Sequence, residues 1–181
     1  MLTGIVRELI DIADQDPLSL EDTSSHWQLY GPQSIIERRG DSLYLEGQGF
    51  GGVYAPGRRK RTLNTIERFA YWGITRQIKS YRPIFKAATQ LARGLSFDMT
   101  FDVWKQSVVL ATLKDHWIEC NLEPKTFALI GDGYGFLGAL IRCLVPNAYI
   151  YNIDLPKTLV FQAFTHSSVF PTRAMSVMST K

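Results

Sequence analysis

Apolar residues recur every three or four positions along much of the chain up to residue 120, a spacing that predicts amphipathic helices. The pattern covers residues 2–13, 62–80, 83–91 and 101–120. Residues 17–56 loosen into turn residues, except at Ser42–Glu46, where Leu43 and Leu45 alternate with polar neighbours and predict a strand. Residues 1–125 are therefore predicted to form a mainly helical N-terminal region.

A glycine cluster, GQGFGGVYAPG at residues 47–57, lies within this region. It lacks the Lys-Ser or Lys-Thr pair and the following apolar helix of a phosphate-binding loop, so it is interpreted as a flexible loop. If this loop has a function, its aromatic residues Phe50 and Tyr54 suit a lid over a substrate.

The periodicity changes at residue 127. Residues 127–154, FALIGDGYGFLGALIRCLVPNAYIYNID, read as an apolar strand, a glycine turn, a helix and a second strand that ends in a carboxylate. Gly131 and Gly133 are predicted to adopt positive φ and to let a ligand lie against bare backbone, whereas Gly135 and Gly138 allow close helix packing. This order of elements is typical of a nucleotide-binding half-site.

The ends of the two strands supply the predicted binding groups. The amides at the start of the helix lack intrahelical partners and carry the positive end of the helix dipole, so they favour an anionic or electron-rich ligand. Asp154 follows the second strand about twenty residues after the glycines, where a carboxylate accepts hydrogen bonds from the hydroxyls of a ribose.

The glycines alone fit two classes of cofactor. Counted from Gly133, their spacing is GxGxxG, the dinucleotide pattern. Counted from Gly131, it is GxGxG, which is common in S-adenosylmethionine-dependent methyltransferases. The surrounding residues favour the second class, because IGDGYGFLGALI followed by YNIDLPKTLVFQ closely resembles IGGGYGGLA and IIDLPETLLLQ of the sugar O-methyltransferase family. The resemblance is firm over residues 127–164, most specific at IDLP, and suggestive over residues 61–123.

The resemblance implies a site for S-adenosylmethionine. In class I methyltransferases the turn after the first strand approaches the methionine part of the cofactor, which assigns Gly131, Gly133 and Gly135 here. The acid that ends the second strand holds the adenosine ribose, which assigns Asp154, and Leu155 is expected to lie against the adenine.

One departure from the family concerns an acid. Leu129 stands where the family usually has a glutamate that helps to orient the turn and the cofactor's ammonium group, so cofactor binding is expected to be weaker. Asp132 offers a carboxylate in the turn and is counted among the cofactor-binding candidates, although its position differs from that of the family's acid.

The fold expected is α/β: a partial Rossmann-like sheet of the class I methyltransferase type at residues 126–181, preceded by the helical region at residues 1–125. Only two strands of that sheet are visible, so the chain is interpreted as truncated after the second Rossmann strand. Two parallel strands have open edges, which predicts self-association.

Composition agrees with an ordinary globular protein. The 181 residues are 45% hydrophobic and 20% charged, with a formal charge of +3. The basic run at residues 58–61 is too short for a nucleic-acid surface, and no apolar run is long enough to span a membrane. Without a targeting segment the protein is expected in the cytoplasm.

The remaining candidate residues are given structural roles. Cys120 and Cys143 are predicted to be buried free thiols, and no metal site is predicted, since the histidines lie far apart. Trp72, Trp104 and Trp117 are predicted to belong to the core, because they lie in segments with helical spacing.

The resemblance implies transfer of a methyl group from S-adenosylmethionine to a hydroxyl of a sugar or glycoside. No catalytic residue is assigned, because the one histidine beyond the cofactor motif, His166, is expected at the surface of the last helix. Two other functions stay open at this point. One is an NAD-dependent Rossmann oxidoreductase fragment, and the other is a non-catalytic interaction module.

Overall fold

The structure, a computed structural model, describes residues 4–15, 24–40, 42–46, 66, 69, 72–97 and 99–177. These residues form a mixed α/β arrangement of helices and two small sheets. The helices are α1 (Gly4–Gln15), α2 (Ser25–Tyr30), α3 (Trp72–Thr75), α4 (Tyr81–Gly94), α5 (Phe101–Glu119), α6 (Phe136–Leu144) and α7 (Pro156–Val169). The strands are β1 (Ile35–Arg39), β2 (Ser42–Glu46), β3 (Thr126–Ile130) and β4 (Tyr149–Ile153), and Gly31–Gln33 forms a 3₁₀ turn.

Most of the predicted elements are confirmed to within a few residues. They are α1, β2, α4, α5 and the segment from β3 through α7. The helix predicted at residues 62–80 is confirmed at Ile66, at Phe69 and over α3, but its end is wrong, because residues 76–80 form turns before α4 begins. The loop at residues 47–57, with Phe50 and Tyr54, lies outside the described residues.

The first sheet is an antiparallel hairpin of β1 and β2, and the sequence predicted only β2. Ile36 pairs with Leu45, and Gly40 lies in the connection with φ of +60°. The three consecutive charged residues of β1, Glu37, Arg38 and Arg39, hide the apolar alternation that identifies a strand. They are exposed, so β1 is held by pairing with β2 more than by burial.

The second sheet joins β3 and β4 in parallel, with α6 connecting them. The register runs from Thr126 opposite Tyr149 to Ile130 opposite Ile153. The strand, turn, helix and strand predicted at residues 127–154 are therefore confirmed, and the carboxyl ends of both strands lie at one edge.

Two hydrophobic cores surround this unit. The first core joins α4, α5 and α6 with the inner face of the β3–β4 sheet, where Phe127, Leu129 and Ile150 are partly buried. The second core joins α1, β2 and α7. Tyr134, from the glycine turn, is buried in the second core, and its ring meets Phe161 edge to face at 5.2 Å. The turn is therefore anchored in the core on that side.

The outer face of the β3–β4 sheet is exposed. Ile130 and Tyr149 are 82% and 68% exposed, and Tyr151 and Ile153 are exposed beside them. Parallel sheets are normally covered on both faces. Within the described part of the chain, helices cover only the inner face of this sheet.

Three residues that were predicted to be buried are exposed instead: Trp72, Cys120 and Cys143. Trp72 is 56% exposed, whereas Trp104 is buried and Trp117 is partly buried against Phe127. Cys120 and Cys143 are free thiols as predicted, but both are exposed. The prediction of burial fails because helical spacing does not identify which stripe of a helix faces the core when apolar residues occur on several sides.

Among the described residues, no helix combines the length and the apolar character needed to cross a membrane.

The start of α4 depends on a carboxylate from α5. Asp115 accepts hydrogen bonds from the amides of Lys79 at 2.7 Å and Ser80 at 2.9 Å. A hydrogen bond from the Ser80 side chain, together with these two amides, lowers the pKa of Asp115. Ser80 is the N-cap residue of α4, and its own side chain makes no capping bond. Asp115 therefore supplies the cap from a neighbouring helix.

We expect Asp115→Ala to lower the free energy of unfolding by about 1 kcal/mol, the usual loss on removing a helix cap. Urea-induced unfolding measures it, with Glu123→Ala as a control that removes an exposed carboxylate outside any helix. Because the pKa of Asp115 is lowered, the difference should shrink as the pH falls below the ordinary value of 3.8. Equal stability of both variants at neutral pH would show that the cap contributes nothing.

Candidate functional site

The candidate site is built on the glycine turn between β3 and α6. Gly131, Gly133 and Gly135 have φ of +73°, +55° and +78°, which glycine adopts without strain. The positive φ predicted for Gly131 and Gly133 is confirmed. The amide of Gly131 donates to the carbonyl of Ile153 at 3.2 Å. The turn therefore leaves the sheet where both strands end.

Gly135 and Gly138 are packing positions. A Cβ atom on Gly135 would lie 2.9 Å from Cα of Gln162 in α7. A Cβ atom on Gly138 would lie 2.9 Å from Nε2 of His166 and 3.1 Å from Oδ2 of Asp132. Real Cβ atoms do not come so close to backbone or polar atoms, so the close packing predicted at these glycines is confirmed.

Asp132 turns inward and binds the start of α6. Its buried carboxylate accepts hydrogen bonds from the amides of Leu137 at 3.0 Å and Gly138 at 2.8 Å. Its carbonyl accepts the amide of Gly135 at 2.9 Å. Asp132 thus takes three of the four amides that a helix start leaves without an intrahelical partner.

This arrangement corrects one expectation from the sequence. The amides at the helix start were expected to face an anionic or electron-rich ligand, but the chain's own oxygens occupy those of Gly135, Leu137 and Gly138. Burial raises the pKa of Asp132 to about 7, although the two amides that bind the carboxylate lower it. Asp132 therefore acts as an internal cap of α6 and does not point toward the edge of the sheet.

Asp154 lies at the end of β4, partly exposed. Its Oδ1 accepts the amide of Leu155 at 2.9 Å, and its Oδ2 accepts Nε2 of Gln162 at 2.8 Å. Burial raises the pKa of Asp154, and hydrogen bonds from the Leu155 amide, Gln162, the Gly133 amide and the Thr158 side chain oppose that shift. The carboxylate is therefore held by the chain on both oxygens.

The structure brings most of the predicted site residues to one edge of the sheet. Gly131 is exposed there, and Gly133, Asp154 and Leu155 are partly exposed. Gly135 is buried under α7, and Asp132 is buried against α6. A ligand at this edge would meet the backbone of Gly131 and Gly133 on one side and Asp154 with Leu155 on the other.

His166 was expected at the surface of the last helix, and this expectation is wrong. The residue is 7% exposed and lies against Gly138. Its Nε2 is buried and has no hydrogen-bond partner among the described residues. Burial, together with the charge of Arg142, lowers its pKa to about 4. His166 is therefore neutral at neutral pH and enclosed behind the turn.

Gln162 is the site residue that the sequence analysis missed. A signal for it exists in α7, where Thr158, Gln162 and His166 follow one another at steps of four residues. This spacing places the three polar side chains on one face of the helix, and all three are buried. A polar stripe within an otherwise apolar helix indicates side chains that need partners inside the fold.

The described residues contain no group of three or more His, Cys, Asp or Glu side chains that could hold a metal ion. Comparisons of the chain with protein-family models, with curated proteins and with solved structures found no match. The resemblance to sugar O-methyltransferases stays a prediction.

Gly135 and Gly131 form a matched pair for testing the packing of the turn. Both have positive φ, but a Cβ on Gly131 would meet no atom within 4 Å. Alanine in the left-handed region costs about 1–2 kcal/mol, and overpacking against a rigid neighbour typically adds about 1–3 kcal/mol. We expect urea-induced unfolding to show a loss of about 1–2 kcal/mol for Gly131→Ala and about 2–5 kcal/mol for Gly135→Ala. Equal losses would contradict the close approach of α7.

The buried pair Asp132 and His166 predicts opposing effects of pH on stability. Between about pH 4 and 7 the folded protein holds a proton on Asp132 that the unfolded chain releases, so this residue makes stability fall as pH rises. Between about pH 4 and 6.5 the folded protein lacks a proton that His166 takes up in the unfolded chain, so this residue makes stability rise. Each slope is at most about 1.4 kcal/mol per pH unit, and the two nearly cancel.

We therefore expect the free energy of unfolding of Asp132→Asn, taken relative to that of the parent protein, to rise with pH. For His166→Gln the same difference should fall with pH. Urea-induced unfolding at half-unit steps from pH 4.5 to 7.5 measures both slopes. Comparison with the parent at each pH removes the contribution of Asp154 from the His166→Gln difference, and in Asp132→Asn the repulsion between Asp132 and Asp154 is part of the measured effect. Parallel curves for all three would mean that neither buried group changes its protonation on unfolding.

Proposed function

We propose that this protein binds S-adenosylmethionine at the glycine turn and transfers the methyl group to a hydroxyl of a sugar or glycoside. The resemblance of residues 127–164 to sugar O-methyltransferases supports the cofactor and the acceptor class. The glycine turn and Asp154, which lie at one edge of a parallel sheet, support a nucleoside site there. When bound, S-adenosylmethionine supplies an activated methyl group.

The observation that carries the choice of cofactor is the position of Asp132. A dinucleotide site binds the pyrophosphate at the amides of the helix start. Here Asp132 takes three of those amides, and its carboxylate, when ionised, also repels phosphate. A nucleoside without phosphate needs none of these donors. This difference favours S-adenosylmethionine over NAD.

Asp154 is the residue proposed to hold the adenosine ribose. Its Oδ1 accepts the amide of Leu155 and its Oδ2 accepts the amide group of Gln162, and the Gly133 amide and the Thr158 side chain also hydrogen-bond to the carboxylate. A carboxylate has about four acceptor positions, so the ribose hydroxyls would replace the bonds from Gly133 and Thr158. Leu155, partly exposed beside Asp154, would lie against the adenine.

The part of the chain that the structure describes contributes to methyl transfer mainly by positioning. An in-line transfer requires that donor and acceptor are held in one orientation, which lowers the entropic part of the barrier. The backbone of Gly131 and Gly133 and the carboxylate of Asp154 would fix the cofactor. His166 is not proposed as a base, because its ring is enclosed behind Gly138.

Two exposed free thiols, Cys120 and Cys143, support a reducing compartment such as the cytoplasm.

A non-catalytic interaction module is the second candidate function. The exposed apolar outer face of the β3–β4 sheet favours it, since large apolar patches often mark contacts with other molecules. This function would require no ligand at the glycine turn. A protein that binds no nucleoside but associates with itself would agree with it.

Calorimetric titration with S-adenosylhomocysteine tests the proposed function without a guess about the acceptor. We expect saturable binding at pH 7.5 and no saturable binding of NAD. Asp154→Asn keeps the shape of the side chain but loses its charge. The variant is expected to bind about tenfold more weakly or worse, since one charge-assisted hydrogen bond contributes about 1.5 kcal/mol or more.

Glu123→Ala, which removes an exposed carboxylate before β3, is the control and should bind as the parent does. Preference for NAD would replace the proposed cofactor with a dinucleotide. Absence of binding to both ligands would contradict an enzymatic function and favour the interaction module.

A further inference from the structure

Gln162 connects the core of the protein to the predicted ribose-binding carboxylate. The residue lies in α7 and is 1% exposed. Its Nε2 donates to Oδ2 of Asp154 at 2.8 Å. Its Oε1 is buried and has no hydrogen-bond partner within the described ranges. The amide is oriented by Asp154, because the reverse orientation would place two oxygens against each other.

The position of this donor is fixed by the backbone. The Cα atom of Gln162 is so close to Gly135 that a Cβ there would come within 2.9 Å of it. On the other side, α7 packs against α1 through the second core. The backbone of Gln162 is therefore fixed, and its enclosed side chain, 1% exposed, holds Nε2 against Asp154. It adds a donor from the core to those that Leu155, Gly133 and Thr158 supply.

We infer that Gln162 is a positioning residue that fixes the carboxylate of Asp154 in the orientation from which it accepts the hydroxyl groups of a nucleoside. Leu155 holds one oxygen and Gln162 holds the other, so the plane of the carboxylate is set before a ligand arrives. Preorganisation of this kind increases affinity, because the side chain is already ordered. The inference depends on the function proposed above, in which Asp154 meets the ligand.

The unpartnered Oε1 separates this role from a purely structural one. A buried amide with an unsatisfied acceptor destabilises a fold, and an apolar side chain of similar length would avoid that loss. If Gln162 only filled space, Gln162→Met would leave ligand binding unchanged. If Gln162 positions Asp154, the same change weakens binding and raises the pKa of Asp154.

The ionisation of Asp154 gives a second, independent measurement. Burial raises the pKa of this carboxyl, and the hydrogen bond from Gln162 opposes the rise. Loss of that bond should raise the pKa further. If the ligand needs the ionised carboxylate, its affinity would fall on acidification, and in the Gln162 variants this fall would begin at a higher pH than in the parent protein.

The experiment compares the parent protein with Gln162→Met and Gln162→Asn, whose shorter amide cannot reach Asp154. Gln90→Met makes the same chemical change on the exposed face of α4 and is the control. Titration with S-adenosylhomocysteine from pH 5 to 8 gives affinities, and ¹³C NMR of the Asp154 carboxyl in the ligand-free proteins gives its pKa. Thermal unfolding confirms that each variant is folded.

We expect both Gln162 variants to bind about tenfold more weakly at pH 7.5, with the acidic loss of affinity and the carboxyl titration moved to higher pH. Gln90→Met should match the parent in all three measurements. Binding by the parent with unchanged affinity and pH profile in both variants would overturn the inference and leave the proposed function intact.

Absence of binding by the parent overturns the proposed function. The NMR titration then decides on Gln162 separately. An unchanged pKa of Asp154 in the two variants overturns the inference as well, whereas a raised pKa supports the positioning contact.

Discussion

The contact between Gly135 and the backbone of Gln162 is the constraint on which the candidate site depends. It brings α7 against the glycine turn without any side chain between them. From that distance Gln162 reaches Asp154, and one helical turn later His166 reaches Gly138. A wider separation would break both contacts. The φ of +78° at Gly135 adds a second reason for glycine at this position.

Asp132 sets the chemistry that the helix start can offer to a ligand. The turn of a dinucleotide site leaves the helix amides free for phosphate, and here a buried side chain and its own carbonyl bind them. The helix dipole and the two amides partly offset the cost of burying that carboxylate, which is why its pKa rises only to about 7. In the proposed function, recognition would then depend on the ligand's hydroxyl groups at Asp154 and on the shape of the backbone at Gly131.

The β3–α6–β4 unit could be predicted because its signals are local: an apolar run, glycines at fixed spacing and a second apolar run that ends in an acid. The direction of the Asp132 side chain could not, since it depends on donors that exist only after α6 forms. The burial of His166 depends on which face of α7 meets α6. The exposure of Trp72 and the strand β1 likewise follow from tertiary contacts that no single segment encodes.

The helices before residue 126 are part of what holds the site in shape. A two-stranded parallel sheet buries little apolar surface, and the outer face of β3 and β4 adds nothing to the core in the described chain. The inner face is covered by a core that α4 and α5 share with α6. On the other side, α1 packs along α7 in the core that also holds Tyr134 from the turn. Packing against the N-terminal region thus helps to fix the positions of Gln162 and of the glycine turn. A substitution in α1 that shifts α7 would therefore alter the orientation of the Asp154 carboxylate, although α1 itself lies away from that carboxylate.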